Sequence, residues 1–155
     1  MTRKVDFLRN DYLRVDNGGE KGFGLKVTLD VVLTDEDVQD LVTTALCGGI
    51  GYWAKLDNTG AEYDEAPADE CIDETVARLL LEGRVVKLID EEDGDVVDLT
   101  LDDLLTGVKM YIENGADSGL LEFDGGTVRL DMCYVDAEVA DQIVQYGLFG
   151  EVVYG

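Results

Sequence analysis

Histidine is absent from the 155 residues, serine occurs once, at Ser118, proline once, at Pro67, and tryptophan once, at Trp53. Without histidine there is no ordinary general base to activate a serine or cysteine nucleophile, so the chain is read as a non-enzyme. The same lack removes zinc sites of the Cys/His kind, and no cofactor is expected. Three cysteines, Cys47, Cys71 and Cys133, are an odd number at long spacings, which suits reduced, partly buried thiols better than a disulfide framework. No apolar run reaches the roughly 18 residues of a membrane span. The opening MTRKVDFLRNDYL places charges where a signal peptide needs an apolar core, so a cytoplasmic protein without membrane contact is expected.

Bases are scarce as well: 12 Lys and Arg face 35 Asp and Glu, a formal charge of −23. Small soluble domains usually carry about 2 to 8 charges of one sign in excess, and self-repulsion at this level opposes compaction. Up to Lys26 the chain has six bases against four acids; after it, 31 acids face six bases, Lys55, Arg78, Arg84, Lys87, Lys109 and Arg129. Two windows hold no base at all. Asp57, Glu62, Asp64, Glu65, Asp69, Glu70, Asp73 and Glu74 fill the first; Asp90, Glu91, Glu92, Asp93, Asp95, Asp98, Asp102 and Asp103 fill the second.

At 46 % apolar residues the chain can still bury a core. Residues 1–20 read as an N-terminal segment of mixed charge ending in the turn Asn17-Gly18-Gly19, and 21–155 as one domain. Leu25 to Thr34 alternates with period two, the mark of a strand with one buried face. Thr34 then caps a helix with Val38, Leu41, Val42, Ala45 and Leu46 on one face, stopped by Gly48-Gly49, and Ile50, Tyr52 and Ala54 share one side of a short strand. After an acidic loop, a helix beginning near Asp69 turns Ile72, Val76, Leu79 and Leu80 inward and ends at Gly83. Arg84 to Ile89 and Asp95 to Leu99 form a hairpin that turns at Gly94. Thr100 caps a helix with Leu101, Leu104, Leu105, Val108 and Ile112 inside, and Leu120 to Phe123 pairs with Thr127 to Cys133 around Gly125-Gly126. The last stretch, from Val135 to Tyr154, echoes Leu33 to Tyr52 at an offset of 102, with identities at Glu36/Glu138, Val42/Val144, Leu46/Leu148, Gly48/Gly150 and Tyr52/Tyr154. Both copies predict a capped helix, a glycine stop and an extended segment ending in tyrosine. The fold class is α+β, about four helices packed on a mainly antiparallel sheet in a single domain.

Few constellations carry chemistry. Asp90 to Asp95, DEEDGD, would need an oxygen ligand at Ile89 if Gly94 were the sixth position of a calcium loop, so an acidic hairpin turn is the better reading. Gly48-Gly49-Ile50-Gly51 follows a helix rather than a strand and lacks a phosphate-binding lysine. Tyr52 and Trp53 suit core or sheet-surface aromatics better than a ligand platform. On a helix from Asp69, Asp69/Asp73 and Glu70/Glu74 would be like-charge pairs, each costing about 0.2–0.5 kcal/mol.

The acidity itself suggests imitation of nucleic acid. Duplex DNA carries one charge per roughly 1.7 Å, so 23 charges match about 40 Å of duplex, the diameter of a globule of this length. Asp57, Glu62, Asp64, Glu65, Asp69, Glu70, Asp73, Glu74, Asp90, Glu91, Glu92, Asp93 and Asp95 are therefore the candidate partner-binding residues, expected on one face. Direct binding to nucleic acid is disfavoured. The strings TALCGGIGYWA (Thr44 to Ala54), LTLDDLLTGVKMYIENG and DAEVADQIVQYGLFGEVVYG resemble a family of small acidic proteins carried by phages and integrative elements of gut bacteria. Cys47 departs from that pattern, in which an acid often stands there. The resemblance transfers no catalytic residue; it implies a mobile-element setting and a partner among basic nucleic-acid-binding proteins of host defence, as for an anti-CRISPR or anti-restriction inhibitor. Two alternatives stand beside it: a small-molecule binder that sequesters a defence signalling nucleotide, and an acidic protein of a salt-adapted host. The oligomeric state is open.

Overall fold

The computed structural model describes residues 12–116 and 118–155, in two compact units that divide between Asp30 and Val31. Residues 1–11 of the expected N-terminal segment lie outside the described residues.

The first unit is a hairpin of β1 (Tyr12–Asn17) and β2 (Glu20–Leu25), paired antiparallel from Asn17 opposite Glu20 to Tyr12 opposite Leu25. Gly18 and Gly19 make the turn with φ of 62° and 95°, values that only glycine adopts without strain. The Arg14 guanidinium lies 4.8 Å over the Phe23 ring.

The second unit is α+β, as its sequence pattern implies. One sheet has the order β3-β8-β7, with β3 (Val31–Val32) parallel to β8 (Thr127–Leu130) and β7 (Leu121–Asp124) antiparallel to it. The other has the order β4-β5-β6, all antiparallel: β4 (Ala54–Leu56), β5 (Val86–Asp90) and β6 (Val96–Leu99). Around them lie α1 (Asp35–Thr44), the single turn α2 (Ala61–Asp64), α3 (Ile72–Leu81), α4 (Leu101–Glu113) and α5 (Ala137–Phe149). Leu41, Leu79, Leu80, Leu88, Leu104 and Ile143 are buried at the centre.

Of the expected strand from Leu25 to Thr34, Leu25 closes β2 and only Val31 and Val32 form a strand of the second unit. Alternation marks faces, but a strand extends only as far as its ladder, and β8 offers β3 two residues, Val128 and Arg129. Thr34 caps α1 as expected, in a reciprocal box: its hydroxyl accepts from the Asp37 amide at 3.1 Å and Asp37 accepts from the Thr34 amide at 2.9 Å. Gly48 and Gly49 do not stop that helix abruptly. The chain continues through a wider π-helical turn, Ala45–Gly49, and a Cβ on Gly49 would meet the Ala137 carbonyl at 3.0 Å, so this glycine lets the end of α1 approach α5. The following residues turn instead of extending: the amides of Trp53 and Ala54 both donate to the Ile50 carbonyl, at 3.0 and 2.9 Å. Trp53 is thereby swung into the core and Tyr52 out of it. The echo holds for the capped helices and fails for the extended segment of the first copy.

Two expected inner faces also change. Helix α3 starts at Ile72, with Cys71 as its cap residue and the Glu74 carboxylate on the Cys71 amide at 3.0 Å, because Glu70 is held in a turn on the Pro67 carbonyl. Ile72 is exposed, as is Leu105 on α4, where Gly107 takes the place against α5. All three cysteines are free and exposed, against the expectation of partial burial.

Candidate functional site

The densest polar constellation joins the two echoing stretches around Trp53. Helix α5 is amphipathic, yet its buried face carries Asp141 and Gln145 among Ala140, Ile143 and Val144. Three donors converge on the Asp141 carboxylate: Trp53 Nε1 at 2.8 Å and Gln145 Nε2 at 2.9 Å on Oδ1, and the Tyr52 hydroxyl at 2.6 Å on Oδ2. Gln145 is fully buried, and its Oε1 accepts from the amides of Val153 and Tyr154 at 2.8 and 2.7 Å. Its Nε2 also donates to the Tyr154 carbonyl at 3.2 Å. The Tyr154 ring stacks on Trp53 with centroids 4.9 Å apart and 6° between planes, and Phe149 meets both rings. The Tyr154 hydroxyl donates to Asp90, whose carboxylate also accepts from the Glu92 amide. This cluster was not singled out in the sequence. The one available signal was the pair of polar residues, Asp141 and Gln145, on the apolar stripe of α5.

These bonds set the titration of the groups involved. The Tyr154 hydroxyl, followed by the Glu92 amide, holds the Asp90 carboxyl below its usual range, and Asp90 in turn pushes the Tyr154 phenol up to about 12. Burial, and then Asp141, raises the Tyr52 phenol. Arg78 lowers Glu70, and Thr59 lowers Asp57. A carboxyl depressed in the folded state contributes stability that is present above its unfolded value, about 4, and lost as pH falls through the folded value. The melting temperature should therefore drop steeply below about pH 4. In Asp90→Asn that acid limb should be shallower, because one of the titrating groups is gone; thermal melts from pH 6 to pH 2 check it, and an unchanged limb refutes the role of Asp90.

Most of the acids expected to face a partner have work inside the fold. Asp57 accepts from the Thr59 amide and hydroxyl at 3.1 and 2.6 Å. Glu62 faces Arg84 at 4.0 Å, Glu70 binds Arg78 at 3.0 Å and accepts from the Thr75 hydroxyl, and Glu91 pairs with Lys55 at 3.1 Å. Asp73 accepts from the Thr43 hydroxyl at 2.6 Å, tying α3 to α1. Asp90 is buried, and Asp93 accepts from the Asp95 amide within the turn. Asp69 and Glu70 precede α3, so the like-charge helical pairs are not formed. Asp64, Glu65, Asp69, Glu92 and Asp95 remain as exposed carboxylates.

Both windows reach the β4-β5-β6 sheet. The Asp57 amide donates to the Lys87 carbonyl, and Asp98 faces the Lys87 ammonium at 3.0 Å, so both acids stand at the start of β5. Asp90 and the turn to Asp95 stand at its other end, three residues or roughly 10 Å away along the strand. The second window is thus divided between the two ends of one sheet.

Five of the six bases of the second unit are engaged: Lys55, Arg78, Arg84, Lys87 and Arg129, the last with Asp37 at 3.5 Å. An open cleft of about 520 Å³ between the end of α1 and α5 is lined by Gly48, Tyr52, Glu138, Asp141, Gln142 and Val152. A groove of about 410 Å³ beside α3 is lined by Gln39, Glu70, Glu74 and Glu82 together with Arg78, whose guanidinium is bound by Glu70 and Glu82. Neither cleft offers a free cation to an anionic ligand. Among the described residues there is no group of three or more potential metal ligands and no helix long and apolar enough to cross a membrane. Compared with protein-family models, curated proteins and solved structures, the chain matches none.

Proposed function

We propose that the protein is an acidic interaction protein that occludes a basic, nucleic-acid-binding surface of a host defence protein. The observation that carries this reading is the charge balance of the second unit, 30 acids against six bases, with five of those bases already in ion pairs. Its surplus negative potential can be matched only from outside. The engaged bases weigh against the alternative of a sponge for a signalling nucleotide, since an anionic ligand needs a free cation. The mobile-element setting rests on the sequence resemblance alone. The acids best placed to meet a partner are the exposed Asp64, Glu65 and Asp69, and Glu92 and Asp95 in the β5–β6 turn.

The division of the second window between two ends of a sheet favours a second reading, host-wide acidity without a dedicated partner. One experiment separates them. Capture of CRISPR effectors and restriction nucleases is measured at low and high salt for the parent and for two variants, D64N/E65Q/D69N and E92Q/D95N. A partner bound through these carboxylates should be lost at high salt, because exposed charges are screened over about 8 Å at physiological ionic strength. At least one variant should bind roughly tenfold more weakly, or ~1.4 kcal/mol, while melting at the parent temperature or above it. Capture of nothing, or equal capture by all three proteins, overturns the proposal in favour of host-wide acidity.

A further inference from the structure

The segment Glu151–Gly155 belongs to no strand, yet it is held as a peptide ligand is held in a groove. Gly150, at φ 74°, turns the chain sharply out of α5. From there the segment is bound by side chains that precede it in sequence. Gln145 supplies a surrogate strand edge, accepting from two consecutive amides and donating to the Tyr154 carbonyl. Trp53 supplies a flat face for the Tyr154 ring, Phe149 closes one side of it, and Asp90 accepts from the phenol at the far end. Val152 and Val153 are left exposed, so backbone bonds and one aromatic side chain carry the recognition. These are the elements of extended-peptide recognition, with main-chain bonds for affinity and one side-chain site for specificity.

We infer that the groove formed by Trp53, Gln145, Phe149 and Asp90 is a recognition site for an extended segment bearing tyrosine, which the chain's own Val152–Tyr154 occupies and the same segment of a second copy can enter. The second copy is the occupant, because it carries the identical segment and presents the same amides, carbonyl and ring to the groove, an exchange of identical elements between protomers. The tyrosine is taken by stacking on Trp53 and by a hydrogen bond to Asp90, the charged group its phenol meets, at the base of the acidic β5–β6 turn.

Trp53 is the sole tryptophan, which gives the site its own reporter. The full chain carrying Tyr154→Ala keeps the segment but loses its anchor. Titrated with the peptide GEVVYG, residues 150–155, it should show a saturable change in Trp53 emission. The peptide GEVVAG should give none. The parent chain should respond to GEVVYG at least about tenfold more weakly, since apparent affinity falls with the fraction of sites that stand open. No saturable response in the Tyr154→Ala chain, or an equal response to GEVVAG, overturns the inference. Should that variant not fold, amide hydrogen exchange in the parent decides. The Val153 and Tyr154 amides should exchange well ahead of the interior amides of α5, by local opening. If they exchange only with global unfolding, the groove never opens and the inference fails.

Discussion

Replacing Gly107 or Gly147 by alanine is expected to destabilise the fold more than any other methyl-sized change in the chain. A Cβ on Gly107 would lie 2.0 Å from the Ile143 carbonyl oxygen, and a Cβ on Gly147 would lie 2.0 Å from the Asp103 carbonyl oxygen. Each glycine faces the backbone of the opposite helix, so α4 and α5 touch main chain to main chain at two points. A clash with a side chain can be relieved by a rotamer change, but a clash with a carbonyl requires the helices to move apart. Such a shift would open gaps around Leu104, Val108 and Ile143, all buried at this crossing. Overpacked cores typically lose about 1–3 kcal/mol, and a backbone clash belongs at or beyond the upper end of that range. The helical preference of alanine over glycine returns at most about 1 kcal/mol. Urea unfolding should thus show a loss of about 3 kcal/mol or more for either variant. Gly48→Ala is the control, since its Cβ would meet only the Ala137 side chain at an ordinary 3.7 Å and should cost nothing measurable. A loss below about 1 kcal/mol at both crossing glycines would show that the helices can separate freely.

That crossing also shows where the sequence is silent. The periodicity of residues 101–112 announces a helix, and its capping box at Thr100 and Asp103 is readable from the residue types alone. The stripe that marks the inner face counts Leu105, however, and passes over Gly107. A glycine signals nothing in a hydrophobic pattern, although here it is the residue of closest approach. The same limit applies to Asp141 and Gln145. On a helical wheel they interrupt an apolar face, and only three-dimensional placement reveals that Trp53, Tyr52 and the Val153 and Tyr154 amides supply their partners.

Local signals fared better than distant ones for a physical reason. The caps at Thr34 and Thr100, the glycine turns at Gly94 and Gly125-Gly126 and the β5–β6 and β7–β8 hairpins depend on residues a few positions apart, and they appear where the pattern placed them. The parallel pairing of β3 with β8 joins residues almost a hundred positions apart, and nothing local to Leu25–Thr34 could limit that strand to two residues. Acidic windows were legible as charge but not as surface. Whether a carboxylate is free or consumed depends on partners such as Arg84 for Glu62 and Thr43 for Asp73, which composition cannot assign.

Asp141 offers the second large effect, and the size of the effect should depend on what replaces it. In Asp141→Leu the Trp53 Nε1–H, buried with its ring, loses its acceptor, and Gln145 Nε2 loses one of its acceptors. A buried donor left unpaired costs about 1–3 kcal/mol, and bonds to a charged group lie toward the top of the scale. With one orphaned donor and a weakened second, the expected loss is about 4 kcal/mol. Asp141→Asn is a milder change. Its carbonyl oxygen can still accept from Trp53 and Gln145, while its amide faces Tyr52, whose hydroxyl can rotate from donor to acceptor. The loss should then be about 1 kcal/mol, that of exchanging a charged acceptor for a neutral one. Denaturant unfolding followed by Trp53 fluorescence measures both, and the indole emission of folded Asp141→Leu should shift because its Nε1–H has no partner. If leucine and asparagine cost the same, the convergence of three donors on this carboxylate is not what holds Trp53 in place. The burial of its ring against Phe149 and Tyr154 would then be sufficient by itself.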